Sequence, residues 1–226
     1  MVDKRSRPRR PRDSEATRRA LLLAGTALFA ERGYDGVPLS AIADRAGVNK
    51  ALVSYHFGGK RKLYLAIVTA TFTELVEHAE QLAASDRAAS EQLRDLIALV
   101  ADTAARRNPH FPAMMLREVL AGGRHLKAET LAYPLRVAEV VRSVVERGVR
   151  DGSFRPVDPL LTHLSLIGGL LFFFATADLR ERLFATRRVR GERPDAAGYV
   201  KHMQELLIHG LVARPSRRAR AEREAS

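Results

Sequence analysis

The sequence predicts an all-α protein, and three observations carry that expectation. Apolar residues recur at three- and four-residue spacing over most of the 226 residues. Sustained period-two alternation is absent, and no Asn-Gly or Asp-Gly hairpin stands between β-branched runs. Gly and Pro punctuate the periodic stretches where helices should end: Gly33, Gly47, Gly58-Gly59, Asn108-Pro109, Gly122-Gly123, Gly152, and Gly191 with Pro194.

The first helix is expected from about Ser14 to Arg32. Ser14 can cap it, Glu15 suits the positive end of its dipole, and Gly33 ends it. Its apolar face is Leu21, Ala24, Ala27, Leu28 and Phe29. Arg18-Arg19 before the run Ala20 to Ala30 has the look of a secretion leader, but Thr26 interrupts the run, and Glu31 and Arg32 frame it as an ordinary helix. A short helix follows from about Pro38 to Ala46, buried through Leu39, Ile42, Ala43 and Ala46. Asn49 caps a third helix, Lys50 to about Phe57, with Val53 and Phe57 inward. A long fourth helix starts at Lys60. Further helices are expected at about 90–107, 111–121, 126–151, 158–180 and 195–213, with a kink or split at Tyr133-Pro134.

The formal net charge of +12 is unevenly spread. Residues 1–13 hold Lys4, Arg5, Arg7, Arg9, Arg10 and Arg12 against Asp3 and Asp13. Residues 214–226 hold five Arg against Glu222 and Glu224, and residues 14–63 are also net basic. Residues 64–213 are nearly balanced. A basic N-terminal part beside a near-neutral body implies a polyanionic partner, a nucleic acid or an anionic membrane. The expected organisation is a disordered basic arm (1–13), a three-helix domain (14–63), a helical body (64–213) and a disordered basic tail (214–226). With no cysteine, disulfides and thiolate metal sites are excluded.

The second and third helices form a helix-turn-helix. Small Ala43 lets them cross closely, Gly47 makes the turn four residues later, and Val48 plugs the gap beneath it. In this arrangement the second helix of the pair lies in the major groove of a DNA duplex. Val53 and Phe57 share its buried face, which leaves Lys50, Ala51, Leu52, Ser54 and Tyr55 mostly on other sides. These supply a cation, thymine-methyl contacts, a hydroxyl and a phenol. Lys60 opens the next helix, where backbone amides and an ammonium together suit a phosphate.

The run from Gly33 through Tyr34, Ile42-Ala43-Asp44-Arg45-Ala46-Gly47-Val48 and Ser54-Tyr55-His56-Phe57 to Lys60-Arg61-Lys62-Leu63-Tyr64 resembles the N-terminal domain of the TetR (tetracycline-repressor) family. Ala27-Leu28-Phe29-Ala30-Glu31-Arg32 ahead of it matches too. The resemblance implies that Lys50, Ala51, Leu52, Ser54, Tyr55 and His56 approach DNA and that Lys60 holds a phosphate. Ser40 and Asn49 complete the candidate DNA-binding set. Two positions depart from the family pattern. The usual Ser/Thr cap of the second helix is replaced around Val37-Pro38, and a tyrosine that often grips the backbone is Ser54 here, with Tyr55 beside it.

For the body, the resemblance implies a ligand-binding domain whose last two long helices build a four-helix bundle in a homodimer. The residues agree independently: the stretch Leu160–Ala177 is more apolar than one neighbour can cover, and Gly168 and Gly169 allow close approach. The dimer is expected through helices at about 158–180 and 195–213, placing two recognition helices about 34–36 Å apart on a near-palindromic operator. Candidate effector contacts are Phe111, Met114, Met115, Arg117, Glu118, His163, Phe172 and Phe173, because Met and Phe adapt to apolar ligands and a few polar groups orient them. Read alone, each has a plainer role in packing or ion pairing.

The expected function is a cytoplasmic transcriptional regulator, a repressor released by a small, mostly apolar effector, with the fourth helix linking sensing to reading. The alternative is a nonspecific nucleoid-type DNA binder using its Arg-rich tails. No metal, cofactor or membrane partner is expected. Enzyme signatures are missing: the seven histidines are scattered, and there is no G-x-S-x-G, P-loop or dinucleotide fingerprint.

Overall fold

A computed structural model of the chain describes residues 11–186 and 191–213, with the side chains of residues 11–13 left aside. Of the expected arm, residues 1–10 lie outside the described residues, as does the expected tail, residues 214–226; the backbone of Pro11–Asp13 is helical, so α1 starts three residues ahead of Ser14, the expected cap. The helices are α1 (Pro11–Arg32), α2 (Leu39–Arg45), α3 (Lys50–Phe57), α4 (Lys60–Ala83), α5 (Ala89–Asp102), α6 (Phe111–Leu120), α7 (Ala128–Arg150), α8 (Pro159–Ala175), α9 (Ala177–Ala185) and α10 (Ala196–Leu211). A π-turn at Thr103–Arg107 follows α5. Among the described residues the one extended pairing is an isolated bridge, Phe154 to Val212. The all-α expectation holds.

The chain divides into two compact units. The first takes the described part of residues 1–70 together with 110–130, and the second takes 71–109 with the described residues beyond 131. The sequence had drawn its boundary at 63/64 and left residues 110–130 in the body. In the first unit α1 lies against both α2 and α6. Its core is built from Leu21, Leu28, Phe29, Ile42, Val53, Leu63 and Met114, all at most 3% exposed. Burying each such side chain stabilises by roughly 1.5–3 kcal/mol. Gly25 lets α4 come close, since a Cβ there would meet Ile67 Cδ1 at 3.0 Å and Leu63 Cδ2 at 3.3 Å.

The second unit centres on Leu93, Ile97, Val144, Leu166 and Leu170, from α5, α7 and α8, closed by Met203, Ile208 and Leu211 of α10. Gln92, 1% exposed, ties the turn after α4: its amide donates to the Ser85 carbonyl at 2.6 Å and its carbonyl oxygen accepts from Arg147. Gly169 is where α10 crosses α8, for a Cβ there would run into the Met203 methyl and the Tyr199 hydroxyl. The close approach expected of this glycine is thus made within the chain, whereas the neighbouring Gly168 faces open space.

Other elements differ from the expected ones as well. The helix expected at 90–107 gives way to a π-turn at Thr103, whose hydroxyl bonds back to the Leu99 carbonyl at 3.0 Å. The single helix expected at 158–180 is broken at Thr176, and α8 and α9 meet at a 58° bend. Arg180 satisfies a carbonyl freed at the break. Its guanidinium bonds the Phe173 carbonyl, the acceptor that a continuous helix would offer to the Ala177 amide. Helix α7, by contrast, runs as one helix through Pro134, where a kink or a split was expected. Among the described residues no single helix is long and apolar enough to cross a membrane, and only the bent α8–α9 pair passes such a test jointly.

Candidate nucleic-acid interface

Helices α2 and α3 pack face to face through Ile42, Ala43, Val53 and Phe57, all buried. The turn between them is hydrogen-bonded throughout, with the Gly47 amide on the Asp44 carbonyl at 3.1 Å and the Val48 amide on the Ala43 carbonyl at 3.0 Å. Gly47 sits at φ 66°, a left-handed conformation that costs a glycine nothing and strains other residues. Pro38 precedes α2 in extended conformation with no side-chain cap, so the departure read from the sequence is real. Arg45 pairs with Glu31 at 2.6 Å and joins α2 to α1.

The outer face of α3 carries the predicted reading residues. Lys50, Ala51, Ser54 and Tyr55 are exposed, Leu52 and His56 half-buried, and Ser40 is exposed on α2. Tyr55 is 80% exposed, a large aromatic side chain with only the edge of His56 against it, at 5.1 Å between centroids. Asn49 plays its capping part: its Oδ1 accepts from the Ala51 amide at 2.8 Å. The αL residue Gly58, φ 69°, ends α3.

Lys60 does not stand free at the start of α4 as its assignment to a phosphate supposed. Its ammonium lies 4.5 Å from the centre of the Tyr34 ring and donates to the Asp35 carbonyl at 3.4 Å. Burial holds its pKa below the usual lysine value, opposed by the nearby Asp35 carboxylate. Lys60 therefore braces the α1–α2 turn. The exposed cations at this helix start are Arg61 and Lys62, neither of them among the candidate DNA contacts.

Helix α6 completes this unit. Arg117 donates from Nε to the Ala30 carbonyl at 2.7 Å and from Nη2 to the Glu31 carbonyl at 3.0 Å, satisfying acceptors at the C-terminal end of α1. Glu118 is 2% exposed and accepts three hydrogen bonds, from the Tyr64 hydroxyl (2.7 Å), the His125 amide (2.9 Å) and His125 Nδ1 (2.8 Å). Arg124 Nε donates to His125 Nε2 at 3.3 Å. Burial pushes the Glu118 carboxyl up, but the hydrogen bonds from Tyr64 and His125 outweigh it and leave the pKa below the usual range. Tyr64 is held protonated by its burial and by Glu118.

The eight candidate effector residues do not form one group. Phe111, Met114, Met115, Arg117 and Glu118 all lie on α6 in the first unit, and His163, Phe172 and Phe173 on α8 in the second. Met114, Arg117 and Glu118 line a single cavity, whereas Phe111 and Met115 are buried. Phe173 is packed in a stack, 3.8 Å from the Tyr199 ring with the Arg180 guanidinium 3.7 Å above it. Phe172 is 63% exposed. His163 is half-buried, and its Nδ1 has no hydrogen-bond partner among the described residues. Burial holds its pKa below the usual histidine value. No group of three or more metal-ligating side chains occurs among the described residues.

A turn locked by Gly47, a helix presenting Lys50 and Tyr55 outward, and exposed cations beside it define a helix-turn-helix DNA-binding protein. Residues 21–67 match the family model for bacterial regulatory proteins of the tetR family. Residues 90–206 match a tetracyclin repressor-like C-terminal domain. The chain is 28% identical to the HTH-type transcriptional repressor NicS of Pseudomonas putida over 89% of its own length and 95% of that protein's. Its fold is similar to that of the TetR family transcriptional regulator PfmR from Thermus thermophilus, with a TM-score of 0.66 at 24% identity, covering 84% of this chain and 97% of that one. It is also similar to AibR, solved in complex with isovaleryl coenzyme A and operator DNA, with a TM-score of 0.64 at 20% identity, covering 85% and 98%. The chain belongs to the TetR family and is a DNA-binding transcriptional regulator.

Proposed function

We propose that this regulator is a dimeric repressor which reads a near-palindromic operator through α3 and is released by a small, mostly apolar effector. The observation that carries the reading role is the uncovered outer face of α3, with Lys50, Ala51, Ser54 and Tyr55 exposed above a buried Val53–Phe57 stripe. Lys50 is suited to a guanine or a phosphate, Ala51 to a thymine methyl, and Tyr55 to a phosphate or base edge. Arg61 and Lys62 add backbone contacts at the start of α4, in place of Lys60.

The second unit supports dimer formation. Leu160, Leu161, Leu164, Gly168 and Phe172 form an exposed strip along α8 at helical spacing, and Leu206 and Gly210 lie exposed on α10. Between the start of α8 and the end of α10 is an open cleft of about 470 Å³, lined by Leu161, Ser165, Leu206 and Gly210 among others. Contiguous exposed apolar side chains of this kind mark an interaction surface. Effector sensing by this chain rests on family membership and on His163, whose unpaired Nδ1 offers a polar handle among apolar neighbours of α8. AibR, whose fold is similar, was solved with a coenzyme A thioester as well as operator DNA.

The test is operator selection from genomic fragments, followed by titration of the selected duplex. Tyr55→Ala and Lys50→Ala should each cost about 1–3 kcal/mol of operator affinity while leaving the thermal melt in place. The wild type should prefer its operator over random duplex by about a thousandfold at physiological salt. A preference that survives both substitutions in a folded protein would remove α3 as the reading helix.

A further inference from the structure

We propose that the cleft between the end of α1, the turn at residues 33–36 and α6 is a binding site for a small aromatic carboxylate. The cleft lies wholly in the first unit and encloses about 350 Å³. A cavity of about 150 Å³ suffices for benzene, so a ring with a carboxylate fits with room for water. Its volume also falls at the lower end of the range of small-molecule pockets.

The walls supply both halves of the recognition. Phe29, Tyr34, Tyr64 and His125 form one aromatic cluster, with the Tyr34 ring 5.8 Å from Phe29, 5.1 Å from Tyr64 and 4.4 Å from His125. Tyr34 is only half-buried, so part of this cluster remains open. Flat apolar surface of this kind takes a planar ring by stacking or edge contact. The charges at the cleft are also unequal in their commitments. Both acids are already matched: Glu118 accepts from Tyr64 and His125, and Asp35 pairs with Arg124 at 2.6 Å. Of the three arginines at the cleft, Arg124 is taken by Asp35, and the other two have no carboxylate partner. Arg117 is bonded to two uncharged carbonyls, and Arg32 makes no hydrogen bond or ion pair among the described residues. Two guanidiniums with no carboxylate partner, set beside an aromatic wall, select an anion carried on a ring, and the planar guanidinium matches a carboxylate in bidentate fashion.

Occupancy would be felt at the DNA-facing end of α4. The Tyr34 ring that lines the cleft is the ring on which the Lys60 ammonium rests. This input is separate from an effector held in the second unit, and its failure would leave the regulator reading untouched.

Calorimetric titration of the intact protein with benzoate, benzamide and cyclohexanecarboxylate tests the assignment. Benzoate should bind, benzamide at least about tenfold more weakly because it lacks the charge, and cyclohexanecarboxylate more weakly because it lacks the flat face. Arg32→Gln, an exposed position whose change should leave the melt unaltered, should weaken benzoate about tenfold. Tyr34→Leu should do the same, and His163→Leu should not change it. No heat of binding at millimolar benzoate, equal binding of benzamide, or binding that is indifferent to Arg32→Gln and lost in His163→Leu would each overturn the site.

Discussion

At the scale of single residues, Glu118 is the most constrained group described. A carboxylate so deeply buried is tolerated because three donors meet it, and two of them, the Tyr64 hydroxyl and the His125 amide, would themselves be stranded without it. Its depressed pKa has a sign in stability. The ionised form is favoured by folding, so its contribution is complete above the unfolded carboxylate range and is lost as pH falls through the lower folded value. Glu118→Gln should therefore cost about 1–3 kcal/mol at neutral pH, and the gap to wild type should close as the solution is acidified. Urea unfolding of both proteins between pH 7 and pH 3 checks this, and parallel stability curves would refute it. The other carboxylates with lowered pKa, Asp102, Glu139 and Asp151, are common to both proteins and drop out of the difference.

At the scale of elements, α3 depends on its cap. Asn49→Ala should cost about 1 kcal/mol of stability by freeing the Ala51 amide, and Asn49→Asp should restore it. Denaturant midpoints measure the first, and operator titration of Asn49→Asp asks whether Asn49 also touches DNA. A restored melt with operator affinity still lost would move Asn49 from cap to contact. The α2–α3 pair was legible in the sequence nearly residue by residue because its determinants are local: Ala43, Gly47, Val48 and Asn49 lie within seven positions. The π-turn at Thr103 and the break at Thr176 were not legible. At the first, the Thr103 hydroxyl adds a second donor to the Leu99 carbonyl, and at the second Arg180 takes the Phe173 carbonyl, a donor that reaches it only once the chain has bent. The packing of Lys60 was not legible for a similar reason. Its partner, the Tyr34 ring, lies 26 positions earlier, and nothing in the spacing announces that the ammonium folds back onto it. The candidate effector residues are divided between the two units because Met and Phe at helical spacing read alike in a core, a stack and a ligand site.

At the scale of the whole molecule, the exposed strip on α8 and α10 predicts the oligomeric state. Leu164→Glu combined with Leu206→Glu places a charge on each helix where apolar surface is left uncovered, and should turn a sedimenting dimer into a folded monomer with weakened operator binding. A dimer that persists would require a different interface. Helix α6 bears on how such proteins diversify. It falls within the stretch that matches the family's C-terminal domain, 90–206, yet it packs in the unit that holds the reading helices. A gene exchange that trades one sensor for another by crossing over after residue 70 hands the reader a foreign α6. The end of α1 then loses Arg117 from its last carbonyls, and the Tyr64 phenol inherits whatever occupies the place of Glu118. New combinations of sensor and operator should accordingly survive chiefly when the incoming segment already carries an arginine-glutamate pair at this turn of the helix, so that the reader's history is written partly in the sensor's half of the gene.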